Sequence, residues 1–175
     1  MAKTSKRVKF KTTVTKSTGE SGWHYLPVKG NIVKKFGFEG KFKRVVCTIN
    51  GSLSFQCALM PWGEIFYIIV NKEKRDSVGI EGGDVVNVEL VKDESKYGLP
   101  MPEEFQEVLN QDADGDRLFH ELSPGKQRSL IYMVSNIKNI DKRIQIALII
   151  LEHLKENGGK VISEQLYNDT QRSIF

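Results

Sequence analysis

The sequence lacks several features by which whole classes of protein are recognised. No apolar run approaches the roughly 20 residues that a transmembrane helix requires, and the basic residues at the start are not followed by the apolar core of a secretory signal. We therefore expect a cytoplasmic protein without a membrane partner. Cys47 and Cys57 are the only cysteines, and in the reducing cytosol both are expected to remain thiols.

Signatures of catalysis and metal binding are also scarce. His24, His120 and His153 lie in separate segments without metal-ligand spacing, and the cysteines form no Cys-x-x-Cys motif. The acidic run 112–116 lacks the glycine and the glutamate that an EF-hand loop needs. The glycine-rich run 79–83 is not followed by the Gly-Lys-Ser/Thr of a phosphate loop. We predict no metal and no cofactor, and favour a non-enzymatic protein, although a cysteine and a histidine could still meet in space.

Positive charge is concentrated in the first part of the chain. Residues 1–50 hold 12 Lys+Arg against 2 Asp+Glu, whereas residues 51–175 hold 14 against 20, which together give the net charge of +4. A basic surface interleaved with aromatic residues is typical of nucleic-acid binding, although a solvated face that only keeps the protein soluble is the alternative. The candidate nucleic-acid-binding residues are Lys29, Lys34, Lys35, Lys41, Lys43 and Arg44.

The first half of the chain has the patterns of short β-strands. Residues 8–14 alternate and are rich in β-branched side chains, which predicts a strand. Residues 23–28 predict a second strand, which Pro27 should place at a sheet edge or a strand end. Residues 30–36 can form one or two helical turns. The near-continuous apolar run 64–70 predicts a strand buried on both faces.

A hairpin is predicted where two alternating runs flank Asn50-Gly51, because this dipeptide favours a two-residue type I′ turn. That turn would pair Ile49 with Ser52 and Cys47 with Ser54. The two cysteines would then not be cross-strand neighbours, and a disulfide between them is not expected.

The N-terminal half also contains a weak internal repeat. Residues 23–40 and 65–82 share a strand, a short helical segment and a Gly-apolar-Glu-Gly turn at an offset of 42 residues. Two copies in one chain suggest a pseudo-symmetric barrel. Structural roles in the turn of the second copy are predicted for Arg75, Gly82, Gly83 and Asp84, since glycine tolerates positive φ and aspartate accepts hydrogen bonds from turn amides.

Beyond the polar linker at residues 92–100 the chain becomes helical, so we predict domains at residues 1–94 and 95–175. Ser123-Pro124 has the pattern of an N-cap followed by proline at the first helical position. Asp141 is predicted to cap the last long helix, which is apolar most of the way round. Such a helix lies centrally or at an interface, so helix 141–156 is a candidate surface for a protein partner. Whether the chain is a monomer or a homodimer remains open.

Two family resemblances follow from these motifs. Residues 68–90, IIVNKEKRDSVGIEGGDVVNVEL, resemble the swapped-hairpin unit of AbrB-like proteins, which bind DNA as dimers of that unit. Residues 99–110 and 117–154, with Leu122-Ser123-Pro124 and Lys138, resemble the YdeI/OmpD-associated, or bacteriocin-protection-like, family. Ile137, in place of a small residue, and Asp141-Lys142-Arg143 depart from that family's pattern.

The resemblances imply an α+β chain: a small double-split β-barrel, AbrB-like and pseudo-duplicated, followed by a C-terminal α-helical module. They imply a cytoplasmic bacterial protein with no established reaction, associated with stress or bacteriocin tolerance. Our interpretation is a non-enzymatic binding or regulatory protein that binds nucleic acid through its basic N-terminal domain. The alternative is an enzyme or small-ligand protein with its site at the barrel mouth or the domain junction.

Overall fold

The computed structural model describes residues 5–39 and 43–172, and the chain divides into two compact units, Met1–Glu94 and Ser95–Phe175. The described part is a mixed α+β fold with two four-stranded sheets and seven helices. The first unit contains β1 Arg7–Thr13, β2 Thr15–Lys16, β3 His24–Lys29, α1 Gly30–Lys34, β4 Arg44–Ile49, β5 Leu53–Ala58, β6 Met60–Trp62, β7 Ile65–Ile69, α2 Lys72–Val78 and β8 Val85–Lys92. The second contains α3 Glu103–Gln111, α4 Ala113–Glu121, α5 Pro124–Ser135, α6 Ile140–Glu156 and α7 Ser163–Thr170.

The two sheets of the N-terminal unit are linked by strands that continue from one sheet into the other. The first sheet has the order β1-β8-β4-β5 and the second β2-β3-β7-β6, with antiparallel neighbours throughout. Only Val14 separates β1 from β2, and only Leu59 separates β5 from β6. Both linking residues are buried. Each continues the backbone hydrogen bonding between strands: Val14 N donates to Asp84 O, and Leu59 N donates to Lys43 O.

One apolar core joins these two sheets. It contains Leu26, Val28 and Ile68 from the second sheet together with Val45, Cys47, Ile49, Val86, Val88 and Leu90 from the first. These positions follow the two-residue period of strands, because successive side chains point to opposite faces of a sheet. The predicted strand at residues 8–14 is confirmed as β1, and the helical turns predicted at residues 30–36 are confirmed as α1.

The internal repeat is visible in the backbone. Strand β3, helix α1 and strand β4 correspond, at an offset of 42 residues, to β7, α2 and β8. The glycines that end the two helical segments, Gly37 and Gly79, have positive φ angles of 59° and 64°. Few residues other than glycine adopt this conformation, so both copies require glycine at this point. Gly40, the predicted counterpart of Gly82, lies outside the described residues.

The predicted hairpin register is wrong by one residue. Ile49 pairs with Leu53 and Cys47 with Phe55, so Ser52 belongs to a three-residue turn. The reason is a tertiary contact that the sequence motif does not encode: Asn50 N donates to Asn87 O, and Asn50 Oδ1 accepts from Asn87 N. A slip of one residue reverses which side chains share a face. The cysteines are nevertheless not directly opposed, because Cys57 pairs with Val45, and both are free.

Two further strand predictions are corrected. Strand β3 is not an edge strand, since it lies between β2 and β7. Pro27 is tolerated there because β2 pairs only with His24 and Tyr25, and thus leaves one side of Pro27 without a backbone ladder. Strand β7 is buried on one face only: Ile68 is fully buried, whereas Ile69 is 51% exposed.

The C-terminal unit packs α3, α4, α5 and α7 against α6. Ser123 caps α5, as predicted, by accepting a hydrogen bond from Lys126 N. The cap predicted at Asp141 is wrong. Helix α6 begins at Ile140, and its N-cap is Asn139, whose Oδ1 accepts from Lys142 N, so Asp141 lies in the first turn.

Helix α6 is the centre of this unit but is not buried all round. Ala147, Leu151 and Leu154 are buried as predicted, whereas Ile144 and Leu148 from the same predicted face are exposed. Helix α7 closes the other side of α6 with the buried Leu166. Among the described residues, no helix combines the length and apolar character needed to cross a membrane.

Candidate nucleic-acid interface

Three of the predicted basic residues lie around one open cleft in the N-terminal unit, which we call the basic cleft. Lys29 ends β3, Lys34 ends α1 and Lys43 precedes β4, and all three line a cleft of about 890 Å³. Gly30 lies at its base, where an added Cβ would be 2.8 Å from Glu64 O. A side chain there would collide with backbone, so glycine allows α1 to lie directly against the turn that precedes β7.

Two of the other predicted basic residues, Lys35 and Arg44, are not among the described residues that line this cleft. Lys35 is the exposed C-cap residue of α1, and Arg44 is half-buried at the start of β4. Lys41 lies outside the described residues. The basic segment is evident from the sequence, whereas the convergence of Lys29, Lys34 and Lys43 depends on how α1 and β4 are positioned.

Two phenylalanine rings form apolar parts of the cleft wall. Phe38 and Phe66 both line it. The Nζ atom of Lys43 lies 5.7 Å from the centroid of the Phe66 ring, within the range of a cation–π interaction. Among the described residues of the lining, Glu64 is the one carboxylate. The described part of the cleft thus combines three ammonium groups, aromatic surface and a single negative charge.

An aromatic cluster covers the outer face of the second sheet, and we call it the aromatic face. Tyr25 and Tyr67 point outward from β3 and β7, with ring centroids 5.9 Å apart. Trp62 from β6 lies 5.7 Å from Tyr25 and is 55% exposed. Trp23 completes the cluster, 5.1 Å from Tyr25. The rings hold one another in offset and edge-to-face arrangements, which leaves Trp62 presented to solvent by a rigid sheet.

The aromatic face and the basic cleft are contiguous. Ile65 pairs with Lys29 on one side and with Trp62 on the other, so a cleft lysine and the exposed tryptophan flank the same residue. Sequence reasoning missed Trp62 and Tyr67 as candidate site residues. The available signal was the register of β7, because Ile65, Tyr67 and Ile69 alternate with residues of the core.

The charge of the whole unit favours anions at this surface. Residues 1–94 contain 16 Lys+Arg and 10 Asp+Glu, a net charge of +6, whereas residues 95–175 contain 10 and 12, a net charge of −2. A positive field raises the local concentration of polyanions and falls off with salt.

Gly82, Gly83 and Asp84 lie in the turn directly before β8, whereas Arg75 lies in α2. Gly82 does not have the positive φ that was expected of both glycines. The Arg75 guanidinium donates to Val70 O at 2.7 Å, a carbonyl of the same repeat unit. Asp84 Oδ2 accepts from Glu81 N at 2.8 Å, which closes the turn on itself. Gly83 has a φ of 94°, and its N–H donates to Val14 O. The hydrogen-bond partners of these residues are backbone groups of the turn and its neighbouring strands.

The structure brings no histidine and cysteine together in the basic cleft. His24 lies against Gly82, and its pKa is lowered by burial and by the nearby charges of Arg75 and Lys16. Cys47 is fully buried in the core of the unit, and burial raises the pKa of its thiol far above the ordinary range. A thiol in that state is a poor nucleophile.

The remaining histidines and the acidic run have local partners. His120 Nδ1 donates to Asp116 O, so its Nε2 accepts from the Tyr97 hydroxyl at 2.7 Å. Asp112 caps α4, and its pKa is lowered mainly by the hydrogen bond from Lys155. No group of three or more His, Cys, Asp or Glu side chains within residues 5–39 and 43–172 is arranged to hold a metal.

These features define a class: a two-unit α+β protein whose first unit is an internally duplicated pair of sheets with a basic cleft beside an exposed aromatic face. Residues 10–90 match the family model described as "Domain of unknown function (DUF1905)". Residues 99–157 match the one described as "Bacteriocin-protection, YdeI or OmpD-Associated". No curated protein gives a significant match to the chain.

The match over residues 99–157 confirms the predicted YdeI/OmpD-associated family for the helical part. The match over residues 10–90 has no AbrB-like description, so that resemblance stays a prediction. The hydrogen-bonded strand order gives two four-stranded sheets, and the predicted double-split barrel likewise stays a prediction.

Proposed function

We propose that the chain is a cytoplasmic, non-enzymatic binding protein that binds single-stranded nucleic acid with its N-terminal unit. The observation that carries the proposal is the contiguity of the basic cleft and the aromatic face. Lys29, Lys34 and Lys43 supply positive charge for phosphates, while the exposed ring of Trp62 and the half-buried ring of Tyr67 beside it supply aromatic surface for bases. A single strand offers both groups to the same surface, whereas a duplex keeps its bases stacked inside.

The energetics of such binding do not require sequence-specific contacts. Each base stacked on an aromatic side chain contributes about 1–3 kcal/mol. Each phosphate neutralised by a lysine releases a counterion, which makes the affinity depend strongly on salt. Two stacked bases and three phosphate contacts are therefore enough for a measurable affinity at low salt. We propose a setting of stress or bacteriocin tolerance for this activity, and the bacteriocin-protection description of the family model matched by residues 99–157 supports the second of these.

We further propose that the two sheets form the double-split barrel of AbrB-like proteins. In support, the strand pair β1/β2 continues from an edge of the first sheet to an edge of the second, and β5/β6 does the same at the opposite edges. Hydrogen bonds from Val14 and Leu59 bridge the two junctions. The two copies of the repeat contribute equally to this arrangement, as in a dimer of the single unit.

A small anionic ligand is the second candidate. The cleft volume of about 890 Å³ lies within the range typical of small-molecule sites. On this alternative a mononucleotide would occupy the cleft without using the aromatic face, and Trp62 would be dispensable.

The first experiment measures fluorescence anisotropy of a labelled single-stranded oligonucleotide, and of its duplex, with the full chain across a salt series. We expect the single strand to bind more tightly and its affinity to fall log-linearly with salt. The triple variant Lys29→Ala, Lys34→Ala, Lys43→Ala should reduce the slope by up to about 2, since each phosphate contact on a single strand contributes about 0.7. The control removes three exposed lysines of the other unit, Lys126, Lys138 and Lys160.

The aromatic face is tested by Trp62→Ala. We expect a loss of about 1–3 kcal/mol, which is a weakening of about 5- to 150-fold, with the salt slope unchanged. Tyr132→Ala is the matched control, because Tyr132 is 59% exposed on α5. Equal effects of the two lysine triples, or no effect of Trp62→Ala on oligonucleotide binding, would contradict the proposal. Tight binding of a mononucleotide that ignores Trp62 would favour the small-ligand alternative.

A further inference from the structure

Helices α3 and α6 leave an apolar groove of about 780 Å³ between them on the surface of the C-terminal unit. Ile140, Ile144 and Leu148 of α6 line it at every fourth position and are 59%, 37% and 41% exposed. Val108 of α3 also lines the groove. This stripe is not part of the buried core of the unit. The apolar residues of α6 that are buried lie on its other faces: Ile146, Ala147, Ile149, Ile150, Leu151 and Leu154.

The rim of the same groove is acidic. The lining contains Glu103, Glu104, Glu107 and Asp112, and the described residues that form it include no lysine or arginine. Glu104 has an ion pair with Arg143 at 3.5 Å, and Asp112 has one with Lys155 at 2.7 Å. Glu103 and Glu107 have no ion pair within residues 5–39 and 43–172. Glu107 accepts a hydrogen bond from the neutral Gln111 side chain at 2.6 Å, so within the described part of the chain neither of these two carboxylates has its charge neutralised.

We propose that this groove docks an amphipathic helix of a partner protein, with an apolar stripe flanked by lysine and arginine. The apolar stripe of the partner would pack on Ile140, Ile144 and Leu148, and its basic flank would reach Glu103 and Glu107. The region was predicted as a candidate partner surface from its excess of apolar residues. In the structure this candidate surface is limited to one apolar stripe, and the rim beside the stripe is negatively charged.

The dimensions suit a helix. From Ile140 to Leu148 the stripe spans nine residues, and the eight steps between them cover about 12 Å of helix axis, or roughly two turns. Helices that bind in grooves present anchors at every third or fourth position, which is the same spacing as the stripe. Apolar contact supplies affinity, and charge complementarity selects the partner and its orientation.

A second copy of the chain is a poorer occupant. Two copies that paired groove to groove would place the carboxylates of one rim against those of the other, and like charges held close together oppose association. With a basic partner this repulsion does not arise, and the carboxylates of the rim attract the positive charges of the partner. The groove is therefore assigned to a partner of opposite charge and not to self-association.

The test uses a fluorescein-labelled peptide of about 18 residues, or five helical turns, built from leucine, alanine and lysine. Leucines occupy one helical face and lysines flank them. A scrambled peptide of the same composition is the probe for charge alone. Anisotropy with the full chain should show tighter binding of the amphipathic peptide, by about tenfold or more.

Two variants examine the two parts of the groove. Ile144→Ser should weaken peptide binding about tenfold, since it removes the central apolar contact. Glu103→Gln with Glu107→Gln should weaken it at low salt and remove much of the salt dependence. Tyr132→Ser, at another exposed apolar residue of the unit, should change nothing. All three residues changed in the groove variants are exposed, and thermal melting verifies that each variant is folded.

Three results would overturn the proposal. Equal binding of the amphipathic and scrambled peptides would show that binding depends only on nonspecific attraction between charges. Unchanged binding by Ile144→Ser would place the peptide elsewhere. A peptide-free dimer in analytical ultracentrifugation that Ile144→Ser dissociates would assign the groove to a second copy of the chain.

Discussion

Cys47 and Cys57 show how strongly the surroundings of a residue change its chemistry. Both are free, and both lie on neighbouring strands of the first sheet. Burial is the largest influence on each. It raises the pKa of the Cys57 thiol from its ordinary value of 9.0 to about 12, although Arg44 and Lys74 act in the opposite direction. The sequence showed that the chain has two thiols, but only the packing shows that they are held in the protonated form.

We therefore predict that both thiols react slowly in the folded protein. At pH 8 the thiolate, which is the reactive species, is nearly absent when the pKa is about 12. Labelling with a chromogenic disulfide reagent should be slow under native conditions and complete within the mixing time in denaturant. Rapid labelling of either cysteine in the folded chain would contradict the prediction that burial keeps both thiols protonated.

The same shift predicts a loss of stability in alkali. The folded-state pKa of Cys57 is raised above the unfolded value of 9.0, so above that pH the unfolded chain releases a proton that the folded chain retains. Stability falls wherever the folded state binds more protons. The free energy of unfolding should thus decline between pH 9 and about 12, and Cys57→Ala should flatten part of that decline. A variant with an unchanged pH profile would show that Cys57 does not contribute.

At the scale of elements, prediction from the sequence succeeded where local patterns decide and failed where tertiary contacts do. Strand β1 and helix α1 follow from periodicity alone. The hairpin register does not, because the bonds between Asn50 and Asn87 enlarge the turn by one residue. The site shows the same division. Composition identified Lys29, Lys34 and Lys43, whereas the role of Trp62 depends on the pairing of β6 with β7.

The start of α6 gives a test at this scale. Asn139→Ala should lower the free energy of unfolding by about 1 kcal/mol, because the side chain accepts a hydrogen bond from Lys142 N. Asp141→Ala is the matched control and should lower the free energy of unfolding by only about 0.3 kcal/mol, since an acid in the first turn interacts only with the helix dipole. Urea denaturation followed by circular dichroism measures both. A larger loss of unfolding free energy for Asp141→Ala than for Asn139→Ala would indicate that Asp141 is the cap after all.

At the scale of the whole molecule, the chain has two separate apolar cores. The first is formed by residues between Val8 and Leu90, and the second by residues between Phe105 and Leu166. No buried residue of one core belongs to the other. The boundary between the compact units falls between Glu94 and Ser95, in the polar segment that separates the two family matches.

We predict that residues 1–94 and 95–175 each fold when expressed alone, because each contains a complete core. The N-terminal fragment should give the circular dichroism of β-structure and the C-terminal fragment that of helix. Each should unfold cooperatively in urea. If either fragment lacks a cooperative transition, its stability depends on the rest of the chain.

The internal duplication has a consequence for how this protein can change. In a symmetric dimer of one repeat, every substitution is made twice, so a mutation that improves one site alters its twin as well. Here the two repeats belong to one chain and have already diverged: Lys29 and Lys34 of the first copy correspond to Asn71 and Asp76 of the second at the offset of 42 residues. One copy can therefore acquire a ligand surface while the other conserves the scaffold, and a bound polymer meets a surface with two different ends and hence a direction.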